Sequence, residues 1–298
     1  MKKTNELQDQ RESLALRTYR MLGRGIAGRG LGLHRINWLS RLHESLSKKL
    51  IHEGVMVAEV DGQKLYVKAD SSHIANSLLT LGGWEKLETE IFLSLLKPHM
   101  TVVDVGAHVG YYTLLAAKRV KQVYCFEPDP ETFGLLNRSI QVNQHSNVRC
   151  FQKAVSDTTG VAHFHIDSEA WANSLCSDNV GNPVNHLEVE TTSLDELYES
   201  EALGDRVDLL KIDAQGAETL VLNGARKLLS SCRPIVFLEL EPDRLRNMGS
   251  GPRELLARLE ATHRFQAIEA PQLSSIDDII SLAEKDLIIN VVAIPHAG

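Results

Sequence analysis

No apolar run in the 298 residues reaches the roughly 18 that a membrane-spanning helix needs, and the polar first ten residues hold no apolar leader core. Cysteine is scarce. Cys125, Cys150, Cys176 and Cys232 stand far apart without a C-x-x-C pair, which removes the usual spacing of a zinc or dithiol site. Cys125 and Cys150 fall in apolar strand-like runs, where buried reduced thiols are expected. A reducing cytoplasmic setting fits these features. Net positive charge is also missing: the chain carries −7, which argues against wholesale nucleic-acid binding. No internal repeat or low-complexity stretch is present.

What is there divides into three zones. Residues 1–50 hold eleven Lys and Arg against four Asp and Glu. Helix-prone segments there surround a break at Gly23, Gly25, Gly28, Gly30 and Gly32. Such a basic arm is either a solvated helical extension or a contact for an anionic partner or membrane surface. Residues 51–100 hold two short strand-like runs, 55–60 and 64–68, around Asp61-Gly62, which predicts a hairpin. A helix over 86–96 follows, stopped by Pro98. From residue 101 to 298 short β-branched runs alternate with helical ones. Strands are predicted at 102–105, 123–127, 148–155, 209–213, 235–240 and 287–293, and helices at 111–119, 130–143, 218–229 and 252–262. The rhythm predicts an α/β domain with a mostly parallel sheet and helices on both faces. The segment 161–190 interrupts it with strand-like pieces at 161–166 and 187–191, and Ser193-x-x-Glu196 reads as a capping box.

The richest stretch runs from Val102 to Gly110, VVDVGAHVG. An apolar strand enters a glycine turn and then a helix, the place where open α/β sheets bind ligands. Gly106 and Gly110 let the backbone approach a ligand, and the helix start offers free N–H groups. The spacing is G-x-x-x-G, not the dinucleotide G-x-G-x-x-G. His108 stands where the second glycine would admit a pyrophosphate. A nucleoside without phosphates fits better, its carboxylate or ammonium meeting the loop and Asp104. The second strand ends at Glu127, an acid at the position that accepts ribose hydroxyls, before Pro128 and Pro130 stop the strand. Loop, missing glycine and ribose acid together point to S-adenosylmethionine.

These residues resemble the FkbM family of O-methyltransferases over about 82–241. The likeness rests on Trp84-Glu85, DVGAHVGYY at 104–112, Phe126-Glu127-Pro128, AVSD at 154–157, TSLD at 192–195 and KIDAQGAE at 211–218. It implies a Rossmann-like class I methyltransferase fold with a mostly parallel seven-stranded sheet. It also implies S-adenosyl-L-methionine as cofactor and a hydroxyl acceptor on a sugar, glycolipid or secondary metabolite. Asp104, Gly106, Ala107, His108, Gly110, Glu127 and Pro128 would then line the cofactor, with Ser156 and Asp157 near the adenine. Two departures stand out. His108 replaces an Asn common in this loop, and Gln215 replaces the Glu of the usual Lys-Ile-Asp-Val-Glu-Gly run. The second removes a carboxylate from the presumed active-site edge.

Alternation puts Lys211 and Asp213 on one strand face, and Glu239 and Glu241 on one face of the next. A Lys in an apolar strand demands a partner, Asp213 or Asp104. Asp213 or Glu239 orients or deprotonates the acceptor hydroxyl, with Lys211 tuning the charge; alternatively, the group is a buried structural ion pair. His163 and His165 share a strand face, but no H-x-x-x-H or carboxylate cluster supports a metal. Trp171, Asn173 and the 73–84 segment are candidates for the acceptor pocket. Two other readings compete. One is a non-catalytic domain that binds S-adenosylmethionine or docks partners; the other is a nicotinamide oxidoreductase, opposed by the missing glycine.

Overall fold

The computed structural model describes residues 54–68, 77–79, 83–167, 173–181, 183–286 and 288–296. The basic extension expected over 1–50, Trp171 and most of 73–82 lie outside the described residues. Strands β1 (Val55–Val60) and β2 (Gln63–Lys68) form the expected hairpin. Asp61 and Gly62 both have positive φ, 50° and 75°, as a two-residue turn of this hand requires. Helix α1 (Lys86–Leu95) leads to β3 (Thr101–Val105), α2 (Tyr111–Ala117), β4 (Gln122–Phe126), α3 (Pro130–Val142) and β5 (Val148–Phe151). Asp129 caps α3, its carboxylate accepting from the Glu131 and Thr132 amides, with Pro130 in the first turn.

A smaller sheet follows, built from β6 (Ala154–Val155), β7 (Gly160–Asp167) and β8 (Pro183–Thr192) in the order β6-β8-β7. Helix α4 (Leu194–Glu199) starts at Ser193, whose side chain accepts from the Glu196 amide. The return half of a capping box is absent, because the Glu196 carboxylate takes the Thr159 hydroxyl instead. Then come β9 (Leu209–Ile212), α5 (Glu218–Asn223), α6 (Arg226–Cys232) and β10 (Ile235–Leu240). The chain ends with α7 (Pro242–Asn247), α8 (Pro252–Glu260), β11 (His263–Ala267), α9 (Ile276–Asp286) and β12 (Ile289–Pro295).

The main sheet has seven strands in the order β11-β12-β10-β9-β3-β4-β5. Pairings from β5 through β10 are parallel, and β12 runs antiparallel to both β10 and β11. The chain leaves β3 towards β4 on one side, while β9 returns on the other, so a topological switch point falls between β3 and β9. Both faces are buried, as a parallel sheet demands. Val102, Val123, Leu209 and Phe237 pack with α1, α2, α3 and the hairpin. Val103, Val105, Leu210, Ile212 and Val236 pack with the later helices.

Three sequence expectations change. Residues 148–155 are two strands in different sheets. Phe151 O accepts from Glu127 N at the end of the main sheet, while Ser156 N donates to Thr192 O beyond β6. The helix expected over 218–229 breaks at Gly224, which lies against the Ser156 carbonyl. Strand β11, unread in the sequence, alternates buried and exposed residues directly after α8 without a turn signal. The parallel register also brings together two cysteines distant in sequence. Cys125 and Cys150 are partners across β4 and β5, with sulfurs 2.7 Å apart. Burial, then the neighbouring thiol, pushes the Cys125 thiol well up. Among the described residues no helix is long and apolar enough to cross a membrane.

Candidate active site

Beyond the carboxyl ends of β3, β4, β9 and β10 lies a cleft of about 410 Å³, within the range of small-molecule sites. Its upper rim is the loop after β3. Gly106 has φ 76°, and a Cβ there would stand 1.8 Å from the Asp213 carbonyl oxygen. The loops after β3 and β9 therefore cross at van der Waals contact, and only glycine permits it. Gly110 packs in the same way on Leu136, 2.5 Å from a would-be Cβ. His108 holds φ 50°. Its amide donates to Glu127 Oε2 at 2.9 Å, and the Asp129 amide donates to Oε1 at 2.9 Å. These two bonds fix the Glu127 carboxylate at the end of β4, facing the cleft. Burial pushes it up to about 8, against the pull of the two amides. A buried acid in that state gains from hydroxyl donors, the chemistry of a ribose edge.

At the opposite end, charge is organised on Lys211. Its side chain is 4% exposed, with Nζ 3.6 Å from Asp104 Oδ1 and 3.5 Å from Asp213 Oδ2. Nζ also lies 4.8 Å from the Tyr112 ring centroid. Burial alone would lower this ammonium, but Asp213, Asp104, Glu85 and Glu239 outweigh it and hold Lys211 charged. Asp104 accepts from Thr113 Oγ1 at 2.6 Å through Oδ2, while its buried Oδ1 has no hydrogen-bond donor. Gln215, at φ 51°, spans the loop after β9. Its amide nitrogen donates to Asp213 Oδ1 at 2.8 Å and lies 3.5 Å from Glu239 Oε2. Burial first, then Asp213 and three glutamates, pushes Glu239 well above the usual carboxylate range. Glu241 pairs with Arg244 at 2.7 Å. Glu218 holds the loop from beneath, accepting from the Ala214 and Gly216 amides.

The structure gathers Gly106, Ala107, His108, Glu127, Pro128, Lys211, Asp213 and Glu239 around one cleft. Asp104 and Gly110 stand behind its wall, outside the lining. Ser156 and Asp157 are not lining residues either. Lys153, Ala154 and Val155 line that side, while the Ser156 hydroxyl donates to Asp157 at 3.3 Å. Asn173 lines the cleft, but His163 and His165 do not; their rings lie 5.9 and 6.4 Å from His186. Among the described residues no group of three or more His, Cys, Asp or Glu is placed to hold a metal ion.

Sequence reasoning left Glu85 and Tyr112 without a role. Glu85 lines the cleft at φ 43°, and its Oε2 accepts from the Tyr112 hydroxyl at 2.9 Å. The neighbouring Trp84 backbone is pinned by the Tyr111 hydroxyl, at 3.1 Å to both its N and its O. The available signal was the pair of tyrosines directly after the glycine loop.

The residues fit S-adenosylmethionine. The cleft offers an apolar wall from Phe126 and Val155 and a ribose-type acid, Glu127, beside the loop that carries His108. The sulfonium and ammonium of such a ligand suit the carboxyl-rich end. Gln215 is a component of this arrangement, so Gln215→Glu should not improve it. The new carboxylate would sit between Asp213 and Glu239, adding like charge in a buried place. Its folded-state pKa would rise above the unfolded value, so the penalty is absent at low pH and grows as pH rises through that window. The melting temperature should fall relative to wild type at pH 8, with a smaller gap at pH 5. An equal gap at both pH values would contradict the charge argument.

The sequence matches the Methyltransferase FkbM domain over residues 104–280, more than half of the chain. It is 31% identical over 174 residues to the 2-O-methyltransferase NoeI of Sinorhizobium fredii, covering 50% of this chain and 66% of that protein. It is 30% identical over 142 residues to Methyltransferase 1 of Beauveria bassiana, covering 41% and 57%. The matched segments thus span under two thirds of these relatives. A crystal structure of an FkbM methyltransferase from Methylobacillus flagellatus KT superposes at TM-score 0.43, with 14% identity, 74% of this chain and 52% of that one. The match to the domain, over the segment that carries the glycine loop, Glu127 and the Lys211 cluster, shows that the chain belongs to the FkbM methyltransferase family.

Proposed function

We propose that this chain transfers a methyl group from S-adenosylmethionine to a hydroxyl of a sugar or another small hydroxylated acceptor. The observation that carries this reading is one cleft with Glu127 at one end and the Lys211 carboxyl cluster at the other. When bound, the cofactor supplies an electrophilic methyl on a sulfonium. The chain's residues do the rest by position. Glu127 and Pro128 take the ribose end, and Gly106, Ala107 and His108 form the loop against it. Asp104 and Gly110 support that loop from behind. The assignment of Ser156 and Asp157 to the adenine end rests on the family resemblance alone.

Lys211 fixes Asp213, and Gln215 links Asp213 to Glu239, so the group that orients the acceptor is held before it binds. Asp213 remains partly exposed, at 32%, and can accept a hydrogen bond from an acceptor hydroxyl. Glu85, Asp213, Glu239 and Glu241 crowd this end of the cleft, which disfavours phosphorylated or nucleic-acid acceptors and favours neutral polyols. The relative called a 2-O-methyltransferase agrees with a hydroxyl acceptor.

The test is transfer of a labelled methyl group from S-adenosylmethionine to a panel of methyl glycosides and their phosphorylated counterparts. Label should enter a neutral glycoside and none of the phosphorylated ones. A folded protein that binds S-adenosylhomocysteine but methylates no hydroxyl would support the non-catalytic binding reading instead.

A further inference from the structure

We infer that Glu85 is the group that receives the acceptor proton during methyl transfer, with Tyr112 as its positioning residue. The inference rests on the proposed function and deepens it. In the step, the oxygen–methyl bond forms as the sulfur–methyl bond breaks. That bond pair stays on sulfur, and the hydroxyl proton passes to Glu85 Oε1.

Four carboxyl groups line the acceptor end, and their partners separate them. Asp213 has one oxygen 3.5 Å from Lys211 and the other 2.8 Å from the Gln215 amide. Both of its oxygens are therefore already engaged by neighbouring side chains. Glu239 faces the Gln215 amide nitrogen at 3.5 Å through Oε2, and burial and its acidic neighbours push it well above the usual carboxylate range. Glu241 is paired with Arg244. Glu85 differs from all three. Its Oε2 receives the Tyr112 hydroxyl, while its Oε1 makes no hydrogen bond among the described residues. Burial, then the Asp213 charge, pushes it up to about 7. A base with that affinity both accepts and releases a proton near neutral pH.

The backbone supports the same assignment. Glu85 holds φ 43°, a left-handed conformation that costs a non-glycine residue free energy. It is over-determined by its surroundings. Tyr111 and Thr89 both bond the Trp84 carbonyl, and the Glu85 carbonyl accepts from the Thr89 amide. Tyr112 itself is locked edge-on against Phe92, with centroids 5.0 Å apart. Its phenol is pushed far upward by burial and by Glu85, so it donates to Glu85 at every accessible pH. The carboxylate is thus aimed into the cleft by three aromatic side chains and a strained turn, more restraint than a helix start requires.

The experiment compares two ligands by titration calorimetry at pH 6 and pH 8. S-adenosylhomocysteine lacks the transferred methyl. Sinefungin carries a protonated amine at that place, and so senses a carboxylate facing the methyl. In Glu85→Gln, sinefungin should weaken at least 10-fold and S-adenosylhomocysteine less than 2-fold. In wild type, the preference for sinefungin should rise from pH 6 to pH 8 as Glu85 ionises, and Glu85→Gln should abolish the rise. Tyr112→Phe removes a hydrogen bond that favours the ionised form, so it should move the midpoint to higher pH. Equal loss of both ligands would mean that Glu85 grips the amino-acid end, and would overturn the inference. So would a pH dependence that survives Glu85→Gln in a variant with the wild-type circular dichroism spectrum. No binding of either ligand to wild type would remove the cofactor reading and the inference with it.

Discussion

Replacing Lys211 by Met should destabilise the protein by about 3–5 kcal/mol, the usual result of removing one partner from a buried ion pair. The side chain is 4% exposed and its partner Asp104 1%. Methionine fills the space but leaves Asp104 with an unpaired Oδ1 and Asp213 without its cation. Glu85 and Glu239 lose the same positive charge. The cost should be larger at pH 8 than at pH 5, because stranded carboxyls can take up protons at low pH. Urea denaturation at both pH values measures this. A loss under about 1 kcal/mol at pH 8 would mean that solvent reaches the cluster and that Lys211 does not organise it.

Gly106→Ala should be nearly as damaging, by a different route. The residue has φ 76°, which costs an alanine roughly 1–2 kcal/mol on conformational grounds. Its new Cβ would also overlap the Asp213 carbonyl at 1.8 Å. Neither side can retreat freely. Gly106 N donates to Phe126 O, and Asp213 N donates to Val105 O. The loops must part, which carries the His108 amide away from Glu127 and Asp213 away from Lys211. We expect a melting temperature lower by more than about 8 °C, from a cost above about 4 kcal/mol at 2–4 °C per kcal/mol for a large domain. S-adenosylhomocysteine binding should be lost in the fraction that remains folded. Wild-type stability with wild-type affinity would show that the crossing of the two loops is not what positions the site.

Much of this site was legible because its parts are local. The Asp61-Gly62 turn, the G-x-x-x-G loop after an apolar strand and the acid ending the next strand each sit within a few residues of their context. The need of Lys211 for Asp213 or Asp104 as a partner followed from one cost, a lysine among apolar strand residues; the fold places both within 3.6 Å. What escaped depends on contacts distant in the chain. Glu85 meets Tyr112 across 27 positions, and nothing local marks it as buried and raised. Gln215 read as a lost carboxylate, whereas folding makes it the bridge between Asp213 and Glu239. The 148–155 run looked continuous because both its halves are strand-like; the break comes from pairing with β4 on one side and β8 on the other. Strand β11 was hidden because its alternation follows a helix without punctuation.

The most direct test of the account is calorimetric titration of the full chain with S-adenosylhomocysteine and, separately, NADH, for wild type and Glu127→Ala. The account predicts that wild type binds S-adenosylhomocysteine and not NADH, and that Glu127→Ala weakens binding at least 10-fold, about 1.4 kcal/mol. Binding of NADH instead, or failure of a folded wild-type sample to bind S-adenosylhomocysteine, would contradict it.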